Sequence, residues 1–449
     1  MIDETEARRR LAAAVPANVR EVCARLAAAG HQAVTVGGAV RDAILGRTPG
    51  DWDVATSARP EEVMALFRRT IPTGLQHGTV TIVTGKGAHT HVEVTTFRGE
   101  GAYTDARRPD HVTFGVPLVE DLARRDLRVN AMAYDPATDR LIDPYHGRED
   151  LSEGKLRAVG ASGDVYADAV ERFTEDGLRV MRAVRFAAQL ELELDADTER
   201  GIVPALPSLA KVSRERVSDE LHKLLATRQP SRGLAIAERT GIIALILPEL
   251  DAGLDAWAAV RGDRAAAVSA WLARVDAAEP SVRLAALLVE LADPGAEPRR
   301  RDARVFERVD TVLRALKFSN AESAAAAHVA SVARAVEIAD LAPHEIRALF
   351  SQIGREHAAS AIALWRAHQP SHARVIAEGE RILAAREPLS ARELAVTGKD
   401  LMEGLGLAPG PALGRLIARL LERVLAEPGL NTREQLLALA RTLPLDGGS

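Results

Sequence analysis

Two aspartates one residue apart, Asp51 and Asp53, close the segment VGGAVRDAILGRTPGDWDV, which runs from Val36 to Val54. On a strand, residues i and i+2 share a face, so the two carboxylates point the same way. Held that close they repel each other unless a cation lies between them. Oxygen-only ligands in that arrangement suit Mg²⁺, which combines a few carboxylates with substrate phosphates. At the other end, Gly37 and Gly38 let the backbone approach a phosphate where side chains would obstruct it. The segment has the chemistry of a metal and nucleoside-triphosphate site. A DxD or a GG pair alone is a common pattern. The signal is their succession: an apolar strand Ala33–Val36, the glycine turn, a helix-like VRDAILG, then DWDV.

In that order these residues resemble the opening signature of class II tRNA nucleotidyltransferases and bacterial poly(A) polymerases, of the DNA polymerase β superfamily. The resemblance implies that Asp51 and Asp53 are catalytic carboxylates that bind Mg²⁺, and that Gly38 and Arg41 hold a triphosphate. A second block, Arg124-Arg125-Asp126-Leu127-Arg128-Val129-Asn130-Ala131, is similar to the family's RRDFTINA motif, with Leu127 and Arg128 where Phe and Thr are usual. Arginine can clamp phosphate oxygens, and Asp and Asn can hydrogen-bond a ribose hydroxyl. From the residues alone the block reads equally as a solvated helix start capped by Asp126. The resemblance implies substrate binding led by Arg125.

A third block, EDGLRVMRAVR from Glu175 to Arg185, has apolar positions that support a helix. Asp176 and Arg179, three apart, would share a face of it, as in any helical ion pair. The resemblance instead makes EDxxR a protein template that selects the incoming nucleotide. Base chemistry agrees with that role. Asp176 can only accept and Arg179 only donate. Cytosine and adenine each offer an amino donor beside a ring acceptor, whereas uracil and guanine present a carbonyl beside an N–H. The latter two would leave buried groups unpaired, which makes rejection strong. At ~100° per residue, Arg182 and Arg185 wind away from Asp176, towards triphosphate or primer. The family's nucleotide-binding arginines occur at these positions.

These groups need a scaffold. At 449 residues the chain is too long for one ordinary core, and two to four domains are expected. Hydrophobic residues at 47% and charged residues at 27% describe a globular protein. The charged start MIDETEARRR has no signal-peptide apolar region, and no apolar run approaches the ~20 residues of a membrane span. Cys23 is the only cysteine, which excludes a disulfide framework and a cysteine zinc site, so a cytoplasmic location is expected. A net charge of −5 argues against a wholesale nucleic-acid coat, so any RNA must be held by a local basic surface.

After a helix at Val19–Ala29, β-branched runs at Ala33–Val36, Thr79–Thr84, Val92–Phe97 and Val112–Phe114 predict an α+β region with a small mixed sheet. From about Asp164 strand signals vanish and helical spacing takes over, with breaks at Pro230, Pro248, Pro280, Pro294, Pro370 and Pro388. The expected organisation is a polymerase β-like nucleotidyltransferase head (1–160), a helical neck carrying EDxxR (161–250), a helical body (251–380) and a helical, tRNA-binding tail (381–449).

Glu93, on a predicted strand, is either a third carboxylate near the metals or a solvent-facing residue. The segment Gly99–Pro109 resembles the flexible loop of CCA-adding and A-adding members, and Glu215–Leu221 (ERVSDEL) the family's neck motif, read here as helix packing. Where some relatives carry His-Asp of a phosphohydrolase domain, this chain has Val289-Glu290, so no second metal site is expected. Ala161–Val170 looks like a short insertion with no evident role. Val396–Leu401 and Gly404–Gly414 resemble the tail of bacterial tRNA nucleotidyltransferases. Together the resemblances imply CCA addition to tRNA from CTP and ATP with Mg²⁺. The competitors are a poly(A) polymerase, an A-adding enzyme and a non-catalytic RNA-binding protein. The last predicts erosion of the metal or template residues, and all four are intact.

Overall fold

The computed structural model describes residues 3–85, 90–100 and 112–443, and the chain packs as two compact units, Met1–Ile246 and Leu247–Ser449. The first unit is α+β. Its seven-stranded sheet runs in the order Thr70–Gly74, Thr79–Val83, His91–Thr96, Asp53–Thr56, Ala33–Val36, Ala133–Asp135, Arg140–Ile142. Neighbours are antiparallel except Asp53–Thr56 with His91–Thr96, which makes the sheet mixed. All four residues of Ala33–Val36 are buried, which is why that strand reads as an unbroken β-branched and apolar run. Val34, Val36, Ala55, Phe97, Leu118 and Leu122 share one core beside it.

Three strands have no sequence signal of their own. Thr70–Gly74 (TIPTG) carries proline and glycine and survives at the sheet edge, where a missing N–H costs least. Ala133–Asp135 and Arg140–Ile142 are three residues each, too short for a period to show. Beyond Asp164 the unit is helical apart from Glu193–Leu194, which pairs in parallel with Lys155–Leu156. The six prolines expected to break helices all lie at or between helix ends, whereas Pro207 sits inside the helix Ile202–Leu209.

The expected head and neck pack as one unit, and the division at 246/247 falls just before the helix Pro248–Arg261. The second unit is helical, and two apolar clusters stand out in its later part. One gathers Val332 to Leu389 with Leu425, and the other Leu394 to Ala440. Among the described residues no helix is long and apolar enough to cross a membrane. Residues 101–109 of the expected flexible loop and the terminal residues 444–449 lie outside the described residues.

Candidate functional site

The sheet register assembles the first part of the site. Val36 lies opposite Asp53 in the antiparallel pair, and Asp53 lies opposite Glu93 in the parallel pair. The chain therefore leaves its first strand into the glycine turn at the point where Asp53 enters the next. Gly37 has φ +78, a conformation that favours glycine, and a Cβ on it would lie 3.0 Å from Arg125 Nη1 and press on that guanidinium. The helix Gly38–Ile44 follows at once. Asp51 and Asp53 are exposed and Trp52 between them is buried, but the strand starts only at Asp53, so Asp51 stands in the turn before it and not on the strand expected for both.

Although part of Asp53 is open to solvent, surrounding protein atoms shield its carboxyl from much of the water and, as the first cause, push it up to about 6, followed by the charge of Glu93, with Arg125 opposing and Asp51 adding. Crowded negative charge on oxygen donors alone suits a hard divalent cation, and Asp51 and Asp53 are the side chains that would hold it. Among the described residues no three His, Cys, Asp or Glu side chains are spaced to hold a metal ion. Glu93 thus stands beside Asp53 without completing a three-ligand set.

Two arginines flank the glycine turn. Arg41 is buried and donates from Nη1 to Asn130 Oδ1 at 2.5 Å and from Nε to Asp42 Oδ1 at 2.9 Å. Arg125 donates to the Asn130 carbonyl at 3.5 Å and lies 3.7 Å from Asp121, and its buried Nε has no partner. Burial draws the Arg125 pKa down, with Asp121 opposing. Asp126 is not the solvated cap that the residues alone suggest. It is buried and accepts from the Leu127 N–H (2.8 Å), Asn130 Nδ2 (3.0 Å) and Arg182 Nε (2.7 Å). Burial opposes its charge, but Arg182 and these hydrogen bonds outweigh burial and hold the carboxyl far below the usual range.

The EDGLR block is a joint, not a helix face. One helix ends at Glu175, the next starts at Leu178, and Asp176 and Gly177 connect them. A Cβ on Gly177 would lie 2.3 Å from Leu209 N, so a following helix presses on the glycine and the chain turns there. The expected shared face of Asp176 and Arg179 is corrected accordingly. The Asp176 carboxylate accepts from the Leu178 N–H and from Arg216 Nη2, both at 3.0 Å. Arg179 donates to Glu175 Oε2 (2.6 Å) and to the carbonyls of Arg172 (3.1 Å) and Arg124 (2.8 Å).

Arg182 and Arg185, expected to face triphosphate or primer, are each bound to an acid. Arg182 pairs with Asp126 at 2.6 Å, and Arg185 Nε donates to Glu220 Oε2 at 2.5 Å. Arg216 and Glu220 were hidden in the ERVSDEL segment. Their only sequence signal is an i, i+4 spacing on the helix Arg214–Leu225, because their partners lie 40 and 35 residues upstream.

Two other segments gain an account. In the stretch 161–170, Asp164 caps the helix Val165–Glu175 by accepting from the Tyr166 and Ala167 N–H groups, so it starts the helix that delivers Glu175. In the second unit Glu290 is buried and accepts from Arg274 and, at 3.1 Å, from Arg261. Two guanidiniums neutralise the carboxylate where His-Asp would stand.

Comparison with known proteins follows the same division. Three family models match: the Poly A polymerase head domain over residues 33–157, the "Probable RNA and SrmB-binding site of polymerase A" over 191–254, and tRNA nucleotidyltransferase domain 2 over 304–440. The CCA-adding enzyme of Leuconostoc mesenteroides is 47% identical over 226 residues, 50% of this chain and 54% of that protein. That of Lactococcus lactis subsp. lactis is 34% identical over 427 residues, 91% of this chain and 93% of that protein. The crystal structure of the Bacillus stearothermophilus CCA-adding enzyme in complex with CTP matches with a TM-score of 0.70 and 32% identity, covering 94% of this chain and 96% of the other. The chain belongs to the family of CCA-adding tRNA nucleotidyltransferases.

Proposed function

We propose that the chain adds CCA to the 3′ end of tRNA, taking CTP and ATP without a nucleic-acid template and releasing pyrophosphate. The observation that carries this reading is the joining of two distant blocks: Arg179 of the base-selecting joint donates to the carbonyl of Arg124, next to Arg125 at the glycine turn and Asp53. We read the two blocks as one site, with the phosphate-binding and base-reading groups on segments joined by that hydrogen bond.

Asp51 and Asp53 are the catalytic carboxylates and would hold Mg²⁺. A divalent cation bound there supplies Lewis acidity, lowering the pKa of an attacking hydroxyl and neutralising departing pyrophosphate. Gly38 and the Gly37 turn let backbone N–H groups meet the triphosphate, and Arg41 and Arg125 supply its positive charge. Asp176 and Arg179 read the base edge, Asp176 accepting from the amino group and Arg179 donating to the ring nitrogen. Arg182 and Arg185 support that site from the neck, through Asp126 and Glu220. The second unit, including 381–449, holds the tRNA, and the single buried cysteine accords with a reducing cytoplasm.

The test is incubation of purified protein with Mg²⁺, each labelled triphosphate and tRNA that ends before CCA. Growth by C, C and A that then stops is the expected result. Addition of A alone to tRNA ending in CC would make the protein an A-adding enzyme, and long A tails would make it a poly(A) polymerase.

A further inference from the structure

Phe186 lies on the helix Leu178–Leu190 with 6% of its surface exposed, and three guanidiniums surround its ring. Cζ of Arg185 is 3.9 Å from the ring centroid, and those of Arg41 and Arg182 are each 5.3 Å away. Two of these arginines belong to the same helix. Arg41 comes from the helix that follows the glycine turn, so the ring is where the neck helix meets that arginine. Three like charges this close repel one another. Each has its own acid (Asp42, Asp126 and Glu220), and the negative face of an aromatic ring adds attraction that an aliphatic side chain of equal bulk would lack.

We infer that Phe186 is a positioning residue for triphosphate recognition. Its ring fixes the Arg41 guanidinium, flanked by Arg182 and Arg185, at the turn where the phosphates of CTP or ATP are received. This rests on the assignment of Arg41 to the triphosphate made above. CTP and ATP carry the same triphosphate, so the ring acts equally on both. It has no part in the choice between bases, which belongs to Asp176 and Arg179.

The experiment compares Phe186→Leu, which removes the ring's charge distribution, with Phe186→Tyr, which keeps it. Two quantities are measured: KM for CTP and for ATP on matched tRNA ends, and the affinity for inorganic tripolyphosphate without metal, by calorimetry. The Leu variant is expected to raise both KM values by the same factor, about tenfold, and to weaken tripolyphosphate binding similarly. Selectivity over UTP and GTP stays as in the parent, and the Tyr variant restores parental values. If the Leu variant does not fold, Phe186→Met, with an unbranched side chain that repacks more readily, takes its place.

Unchanged KM and unchanged tripolyphosphate affinity would overturn the inference, whatever the melting temperature does, because the ring would then be packing only. Unequal effects on CTP and ATP would overturn it too. A protein that binds tripolyphosphate through Phe186 but adds no nucleotide would retain this inference while the proposed reaction fails.

Discussion

Arg216 should control nucleotide choice without touching the nucleotide. It donates to Asp176 Oδ2 at 3.0 Å, and the other oxygen of that carboxylate accepts from the Leu178 N–H. Both side chains are mostly shielded, at 27% and 17% exposed. A hydrogen bond between charged groups contributes about 1.5–3 kcal/mol when neither is fully solvated. Replacing Arg216 by glutamine removes the charge and shortens the reach, so Asp176 is free to rotate about its anchor at the Leu178 N–H. Discrimination against UTP and GTP depends on an acceptor that cannot turn away from a carbonyl. A loss of about 2 kcal/mol of that restraint corresponds to about thirtyfold in the ratio of kcat/KM for CTP over UTP.

Single-nucleotide addition to tRNA ends, with each of the four triphosphates, measures that ratio directly. Glu220→Gln is the control. It lies one turn further along the same helix and breaks the Arg185 pair instead, so it should lower the melting temperature while leaving the CTP to UTP ratio in place. A ratio within twofold of the parent in Arg216→Gln would refute the reasoning. So would an equal loss in Glu220→Gln, which would show that helix packing matters and the Asp176 contact does not.

Removing either member of the DxD pair should be more drastic: Asp51→Ala or Asp53→Ala is expected to lower nucleotide addition by about 10³-fold, several kcal/mol of charge stabilisation, with melting temperature largely kept. Gly37→Ala places a Cβ 3.0 Å from Arg125 Nη1 at φ +78, so it should cost about 1–2 kcal/mol of stability by denaturant titration and raise KM for both nucleotides as Arg125 shifts. Glu290→Ala strands Arg274 and Arg261 beside a lost carboxylate, which should destabilise the second unit by about 3 kcal/mol in thermal melts. The same variant should leave the kinetics of single CTP addition unaltered at a permissive temperature, as a structural position requires.

What could be read from the sequence was what depends on neighbours along the chain. The glycine turn and the β-branched strands need only a local conformation and a period of two, and they stand where expected, whereas of the DxD pair only Asp53 lies on the strand. The EDGLR block shows the limit. Helical spacing is genuine from Leu178 onward, but the break before it comes from Leu209 and Ser208 pressing on Gly177, and no residue near 177 announces that contact. Arg182 and Arg185 stand on a helix as their spacing predicts, yet their direction is decided by Asp126 and Glu220, 56 and 35 residues away. Three-residue strands such as Ala133–Asp135 lie below the length at which periodicity carries information.

Those distant contacts also tie together two motifs some fifty residues apart. Arg172 donates to the carbonyl of Ala123 at 3.2 Å, Arg179 to that of Arg124 at 2.8 Å, and Arg182 to the carboxylate of Asp126. The neck thus grips the head on both sides of Arg125, and the one arginine left between these contacts lies against Gly37. A backbone carbonyl held by a buried guanidinium cannot shift alone, because a charged donor deprived of its acceptor costs more than the bond itself contributed. The joint at 176–177 is thus tied through Arg179 to the backbone next to Arg125, and Arg125 reaches the glycine turn. On the roles proposed above, a mismatched base that strained Arg179 would also displace Arg125. Selection is then expressed in the rate of transfer as much as in binding, which is the economical arrangement for a polymerase with no template strand to align its substrates.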